Sequence, residues 1–314
     1  MEKTIKTILI TMILLAVCAV FTGCRAKGVK NEPDVTRIAE NAVVSYLGPA
    51  GTYTEEAALF FFDDTATFNS KTTVTEAIED VVKGNADYAV IPQENTLGGA
   101  VTGYVDALII QENVFVVGEV ILPISQTLVG IPGAALDDIR LVCSHAQGIT
   151  QSEKWRKEHL PDAKTQEMSS TAAAASYVAE QKDKTIAAIA APGAAKLYGL
   201  SVLGENVQIT DANKTRFYVL SSAGLEGKHT NAVFVAGCEA NRIDDIIIDI
   251  HNSGLELVTI HDRPEGSYLG SYNYILEVES KDLISDEQLK AVKEHKEIRY
   301  LGSYDVVEKH SDGC

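Results

Sequence analysis

Thr215, Arg216 and Phe217 stand together at the start of TRFYVL (215–220), an apolar, aromatic run that reads as a buried strand. A hydroxyl and a permanent cation at a strand's mouth need either a ligand or a structural partner. Arg216 reads in two ways, as a bidentate partner for a ligand carboxylate or as half of a structural ion pair. Four more polar patches fall at strand-to-helix junctions. Gly48-Pro49-Ala50-Gly51-Thr52 leads into a helix N-terminus that suits a carboxylate or phosphate, or is a plain capped turn. Pro92-Gln93-Glu94-Asn95-Thr96 crowds polar side chains at a strand's end, as ligand contacts or as turn chemistry. Ser144-His145-Ala146-Gln147 has Gln151 one helical turn on, and a lone histidine there is more often a cap than a base. Ser169-Ser170-Thr171 is most economically an N-cap.

The elements that must position these residues alternate. From residue 43, short apolar strands (43–47, 65–70, 87–92, 114–122) alternate with helical patterns, one of them opened by Thr52 and Glu55 as a capping box. A second block repeats the alternation through ISQTLVG, RLVCS, KTQEM and TIAAIA. The chain then returns through TRFYVL. This order predicts parallel sheets with helices on both faces, in two lobes with a cleft between them. From about residue 231 the pattern becomes βαββαβ, a ferredoxin-like module of about 80 residues.

With 314 residues there is enough chain for two sizeable domains. A net charge of −17 leaves no basic stripe for phosphates, so no nucleic-acid partner is expected. Of five cysteines, Cys143 and Cys238 fall in apolar strand-like runs and form no disulfide framework with Cys314. No cysteine or histidine cluster suggests a metal. The N-terminus carries Lys3 and Lys6, an apolar core from Ile8 to Val20, then Phe21-Thr22-Gly23-Cys24. That core falls short of the roughly 20 residues a membrane span wants, but it fits a secretory signal. It resembles a bacterial lipoprotein signal peptide (1–23) with Cys24 acylated, although Phe21 replaces the usual leucine. An ordinary signal peptide or an uncleaved anchor are the alternatives. Residues 24–41 read as a polar tether, which places the protein outside the cell membrane or in the periplasm.

Singly each patch is weak; in order they are specific. The series GPAGTYTEEAA, IPQENT, CSHAQ, SSTAAAA, KLYGL, NKTRF, HDRP and LGSY resembles the prephenate dehydratase family from about residue 43 to 304. The resemblance implies an α/β, two-lobed, periplasmic-binding-protein-like (type II) catalytic domain over 42–225. Its lobes are about 42–121 with a return at 205–225, and 122–204. A regulatory ACT domain over 230–309 follows. The stretch before residue 43 is too short for the chorismate mutase domain sometimes fused to this enzyme. The implied reaction is decarboxylative dehydration of prephenate to phenylpyruvate, a lyase step in phenylalanine biosynthesis that needs no cofactor. Thr215 carries over as the residue at the leaving hydroxyl. Asn95, Ser144 and Gln151 carry over as substrate contacts, with Thr52, Thr171, Arg216 and the apolar wall Phe217 beside them. Glu94 reads as a proton relay or as an exposed turn carboxylate.

The chain departs from the family most in the C-terminal module. Asn241-Arg242-Ile243 stands where Gly-Ala-Leu is usual, and His261-Asp262-Arg263-Pro264 where Glu-Ser-Arg-Pro is usual. Arg242 would crowd a phenylalanine pocket, so weakened or lost binding of that effector is expected, while the module still pairs chains into a homodimer. Two other functions fit the same features: an arogenate dehydratase, and a lipid-anchored solute-binding protein for an aromatic-pathway acid.

Overall fold

The computed structural model describes residues 41–310, Asp211 excepted. The expected signal peptide, Cys24, the tether up to residue 40 and Cys314 lie outside the described residues. The first lobe runs β1 (Val43–Leu47), α1 (Tyr53–Phe61), β2 (Thr67–Lys71), α2 (Val74–Val82), β3 (Tyr88–Asn95), β4 (Gly99–Ala100), α3 (Thr102–Ile110) and β5 (Phe115–Pro123). The second runs β6 (Thr127–Gly130), β7 (Leu141–Ser144), α4 (Ala146–Gln151), α5 (Glu153–His159), β8 (Lys164–Glu167), α6 (Thr171–Gln181), β9 (Ile186–Ala190), α7 (Pro192–Tyr198) and β10 (Ser201–Gly204). The chain then returns to the first lobe as β11 (Lys214–Ser221).

Local chemistry explains the helices. Thr52, Thr73 and Ser170 each accept from the backbone N–H three residues on, satisfying a donor that the helix itself leaves open. In α2, Val74, Ala77, Ile78 and Val81 recur at helical spacing and are all buried. The capping box expected at Thr52 takes a different form, because the Glu55 carboxylate accepts from Gly51 N–H and from the Tyr46 hydroxyl.

The two sheets share one plan, β16-β5-β11-β3-β1-β2 and β10-β6-β9-β7-β8, where β16 is Val306–Glu308. Neither is wholly parallel, which corrects the expectation. β11 runs antiparallel to both β3 and β5, and β6 antiparallel to β9 and β10. A strand that arrives directly from the other lobe, without a crossover helix, enters the sheet in the opposite sense. The chain therefore crosses between lobes twice, at 123–127 and 204–214, and this is the two-lobed, type II arrangement.

The C-terminal module comprises β12 (Asn231–Glu239), α8 (Ile243–Asn252), β13 (Glu256–Pro264), β14 (Ser271–Glu279), α9 (Asp286–Lys293) and β15 (Ile298–Tyr304). Its sheet is ordered β13-β14-β12-β15. Strand alternation splits its side chains between two cores. Phe234, Ala236, Leu276 and Val278 pack under α8 and α9 with Ile246, Ile250 and Val292. Val233, Val235, Ile275 and Leu301 join Ile78, Tyr104, Leu108 and Val116 of the first lobe in one continuous core. At Gly302, where φ is +131°, any Cβ would collide with the Val116 carbonyl, so the module's last strand lies directly against β5.

Polar links reinforce this docking. Arg299 donates to the carbonyls of Leu108, Ile109 and Gln111, closing the C-terminal end of α3. Arg263 forks onto Asp106 at 2.5 and 3.1 Å, and the Tyr104 hydroxyl meets His261 Nδ1. At the centre, Arg216 donates to both oxygens of Glu119 at 2.6 and 2.8 Å, to Glu277 of β14, and to Glu94 at 3.5 Å. Tyr218 donates to the second oxygen of Glu277, and Tyr304 to Glu119. Glu119 and Glu277 are each 1% exposed.

Two buried carboxylates thus share one guanidinium. Burial pushes the Glu277 carboxyl up to about 7, with Glu119 adding to the rise and Arg216 opposing it. Burial works against the charge on Arg216, but the two carboxylates outweigh it and hold the guanidinium charged. Because the folded pKa of Glu277 exceeds the unfolded value of about 4.3, its proton contributes stability that is complete below the unfolded value and lost as pH rises through about 7. The melting temperature of the parent is therefore expected to fall between about pH 4.5 and 7 more steeply than that of Glu277→Gln, whose amide cannot ionise, and to run parallel to it above that range. Melting profiles parallel within that range as well would show that Glu277 is ionised throughout.

Candidate active site

A cavity of about 480 Å³ opens between the lobes. Its wall takes residues from the first lobe, the second lobe and both crossover segments: Ile124 and Gln126 from one crossing, Asn213 from the other. Thr52 to Thr54 bring the N-terminus of α1 from one side, and Ser169 to Thr171 bring that of α6 from the other. Helix N-termini present free N–H groups and a positive partial charge, so the opposed pair suits a ligand with negative charge at two ends. Among the described residues, no lysine, arginine, aspartate or glutamate lines the cavity.

Thr215 lies on this wall with Phe217 and Asn213, every second residue of one extended segment. A chain of amides fixes the hydroxyl. The Asn95 carbonyl oxygen accepts from Leu97 N–H and Gly98 N–H, both at 3.0 Å, and from Gln147 Nε2 of the second lobe at 3.1 Å. Its NH2 must therefore face the other way, where it donates to Thr215 Oγ1 at 2.9 Å and to Asn213 Oδ1 at 2.7 Å. Asn213 in turn donates to Gln151 Oε1, which also accepts from Gln126. With one Thr215 lone pair taken by Asn95, the hydroxyl proton is left to point at a ligand. This is what a donor to a developing anion requires.

The residues singled out from sequence divide by face. Thr52, Asn95, Gln151, Thr171, Thr215 and Phe217 line the cavity together. Arg216 does not: it is adjacent to Thr215 on a strand and so faces away, into the Glu119 and Glu277 carboxylates. The structural reading of Arg216 holds and the carboxylate-binding one is corrected. Glu94 is displaced for the same reason, 3.5 Å from Arg216 and 3.8 Å from His261 rather than at the cavity. Ser144 is fully buried at the end of β7 and donates to the Ile189 carbonyl, so it braces a strand beneath the site. Gly148 packs over it, since a Cβ there would strike the Ser144 hydroxyl. His145 caps α4 through Nδ1 and lines the rim.

Sequence reading missed Asn213 and Gln126, while Gln147 fell within the polar patch that opens at Ser144. The signal for Asn213 was available, because a strand at Thr215 places residues 213, 215 and 217 on one face. Gln126 carries no such signal, as it reaches the site from the segment that crosses between the lobes.

The supposed effector residues also separate. Asn241 and Arg242 border two adjoining depressions that share Glu239 and Tyr268, whereas His261 and Arg263 point to Tyr104 and Asp106 of the first lobe. Asp262 and Pro264 are exposed on β13, and Ile243 is buried under the sheet. Burial holds His261 below its usual pKa, against the pull of Glu94. These seven residues do not share one site in a single chain.

Comparison with known proteins agrees with this architecture. A model of the prephenate dehydratase family matches residues 44–224. The bifunctional chorismate mutase/prephenate dehydratase of Neisseria gonorrhoeae is 32% identical over 267 residues, covering 83% of this chain and 74% of the relative. The prephenate dehydratase of Amycolatopsis methanolica is 30% identical, covering 83% of this chain and 88% of its own length. Among solved structures, a prephenate dehydratase from Arthrobacter aurescens in complex with L-Phe superposes with a TM-score of 0.76 at 32% identity, over 84% of this chain and 90% of that one. With its interlobe cavity, its fixed threonine and these relatives, the chain belongs to the prephenate dehydratase family.

Proposed function

We propose that the chain converts prephenate to phenylpyruvate, and that Thr215 is its catalytic residue. The observation that carries this reading is the Thr215 hydroxyl, turned toward an uncharged cavity by Asn95. Prephenate is a dianion: a ring carboxylate and a pyruvyl carboxylate share one ring carbon, with a hydroxyl on the opposite one. The electrons of the bond between ring and carboxylate move into the ring as CO2 leaves. The opposite C–O bond breaks, and the departing oxygen takes up a proton and leaves as water. Thr215 donates a hydrogen bond that strengthens as charge grows on that oxygen, an effect worth about 3–4 kcal/mol. The N-termini of α1 and α6 hold carboxylate without a counter-cation. A carboxylate so placed is not pinned by an ion pair, which favours its loss. Phe217 and Ile124 wall the ring.

The finer assignments follow from the same reading. The C-terminal module is an ACT domain that pairs two chains through the free edge of β13, where Val258 and Ile260 are exposed. It binds L-phenylalanine weakly, because Arg242 occupies the rim of the depression beside Glu239. A mass of two chains by light scattering, with no saturable heat on titrating L-phenylalanine, is expected. A single-chain mass overturns the pairing, and tight saturable binding overturns the weak-effector proposal. The N-terminal segment directs export, and Cys24 is acylated to anchor the enzyme at the outer face of the membrane or in the periplasm. Intact-mass analysis of the membrane-extracted protein should start at Cys24 with added acyl chains; an unmodified Met1 start overturns this.

The decisive assay is turnover of prephenate by residues 25–314. The parent produces phenylpyruvate, and Thr215→Ala loses about a hundredfold or more in kcat, as for one lost transition-state donor. Asn95→Asp behaves similarly for a different reason: its carboxylate can only accept, so it takes the Thr215 proton that the substrate needs. A folded parent that is stabilised by prephenate yet makes no product is instead a solute-binding protein, and turnover of arogenate alone reassigns the substrate.

A further inference from the structure

Thr215 and Arg216 are neighbours on β11 with side chains on opposite faces, so whatever holds Arg216 also sets where Thr215 stands. On the β5 side the ladder is regular from Lys214 to Val219, and the irregularity lies on the β3 side. Between Arg216 and Phe217 the pairing with β3 slips: Arg216 lies opposite Glu94 and Phe217 opposite Pro92, leaving Gln93 as an extra residue on β3. A bulge of this kind disrupts the ladder locally on the β3 side, next to Thr215, leaving the β5 pairing and the side-chain contacts of β11 to fix its position there. Arg216 is anchored on the far side by two buried carboxylates. Glu119 comes from β5 of the same sheet, but Glu277 comes from β14 of the C-terminal module, and it is itself gripped by Tyr218 two residues along β11. Glu277 therefore bridges Arg216 and Tyr218, flanking the slipped step from the module's side.

We propose that Glu277 is a positioning residue for the reaction, holding Arg216, and through it the Thr215 strand, in the catalytic register. The C-terminal module thereby completes the active site from behind. This rests on the assignment of Thr215 made above. The hydrogen-bond partners of Glu277 given above, Arg216 and Tyr218, do not line the cavity, so its loss acts on kcat rather than on ground-state binding.

The test is a kinetic cycle on the full soluble chain with prephenate, using Glu277→Ala, Thr215→Ala and the double variant. Glu277→Ala is expected to lower kcat about ten- to a hundredfold with KM within about twofold of the parent, the scale of a small misplacement of a catalytic group. Glu277→Gln, whose carbonyl still accepts from Arg216 and whose NH2 can donate to Tyr218, restores most of that loss. In the Thr215→Ala background, Glu277→Ala costs little more, because the group it positions is gone. Losses that multiply in the double variant, or an unchanged kcat in folded Glu277→Ala, overturn the proposal. If Glu277→Ala does not fold, Glu277→Asp, one carbon shorter, takes its place in the same cycle with the same outcomes. A Thr215→Ala variant as active as the parent overturns the Thr215 assignment instead, a result read separately from the Glu277 single variants.

Discussion

The hydrogen bond from Asn95 to Thr215 is short and ordinary, yet the site depends on its direction. A threonine hydroxyl can donate or accept, and only its partners decide which. Here the decision begins two residues past a strand's end, where the N–H groups of Leu97 and Gly98 claim the Asn95 oxygen. The amide cannot then flip without leaving two backbone donors unmet. From that point every group along Asn213, Gln151 and Gln126 has its polarity assigned in turn. The same chain of amides runs along both crossover segments, so the lobes' hinge and the reacting group's orientation are one construction.

Among the described residues, the absence of lysine, arginine, aspartate and glutamate from the cavity wall is as informative as the groups present. An arginine would bind a dianion more tightly, but it would also stabilise the carboxylate that must be lost. Binding the ground state and the transition state equally gains nothing in kcat. Helix N-termini are a weaker and more diffuse attraction, of the order of a kilocalorie or less each at exposed sites and up to about 2 kcal/mol when partly buried. They orient the substrate without committing the site to a fixed counter-cation. The family's arginine, Arg216, is instead kept one residue away and turned to the opposite face.

Much of this was legible in the sequence, and the failures have a common cause. The βαββαβ order from about residue 231 was legible because its strands are continuous apolar runs, buried over most of their length and separated by helical and turn segments. β16, three residues long, and β10, with a glycine at its end, offer too little pattern to see. Strand direction was misread because alternation of β and α does not reveal a strand that crosses from another lobe. Thr215, Asn95, Gln151 and Ser144 were all placed at the cavity by motif, with Arg216 and Glu94 beside them, and of these Ser144, Arg216 and Glu94 do not line it. Counting by twos from Thr215 separates Thr215 and Phe217 on β11 from Arg216. Nothing local separates Ser144, whose partner Ile189 is a neighbouring strand's carbonyl.

The C-terminal module poses the remaining question of why its docking surface includes buried ions. The surrounding interface is a continuous apolar core of Val233, Val235, Ile275 and Leu301 against the first lobe. Burying carboxylates is expensive, and well-packed apolar replacements for buried ion pairs are often as stable or more so. An apolar patch, however, tolerates sliding, since one methyl packs nearly as well as the next. A guanidinium forked onto Glu119 and also bonded to Glu277 has essentially one geometry. The cluster sits behind Thr215, the residue proposed to act, at the step where the pairing of β11 with β3 is irregular. Stability given up at this interface is thus exchanged for a fixed register of β11, and under the proposal above the module's ions are part of that strand's support.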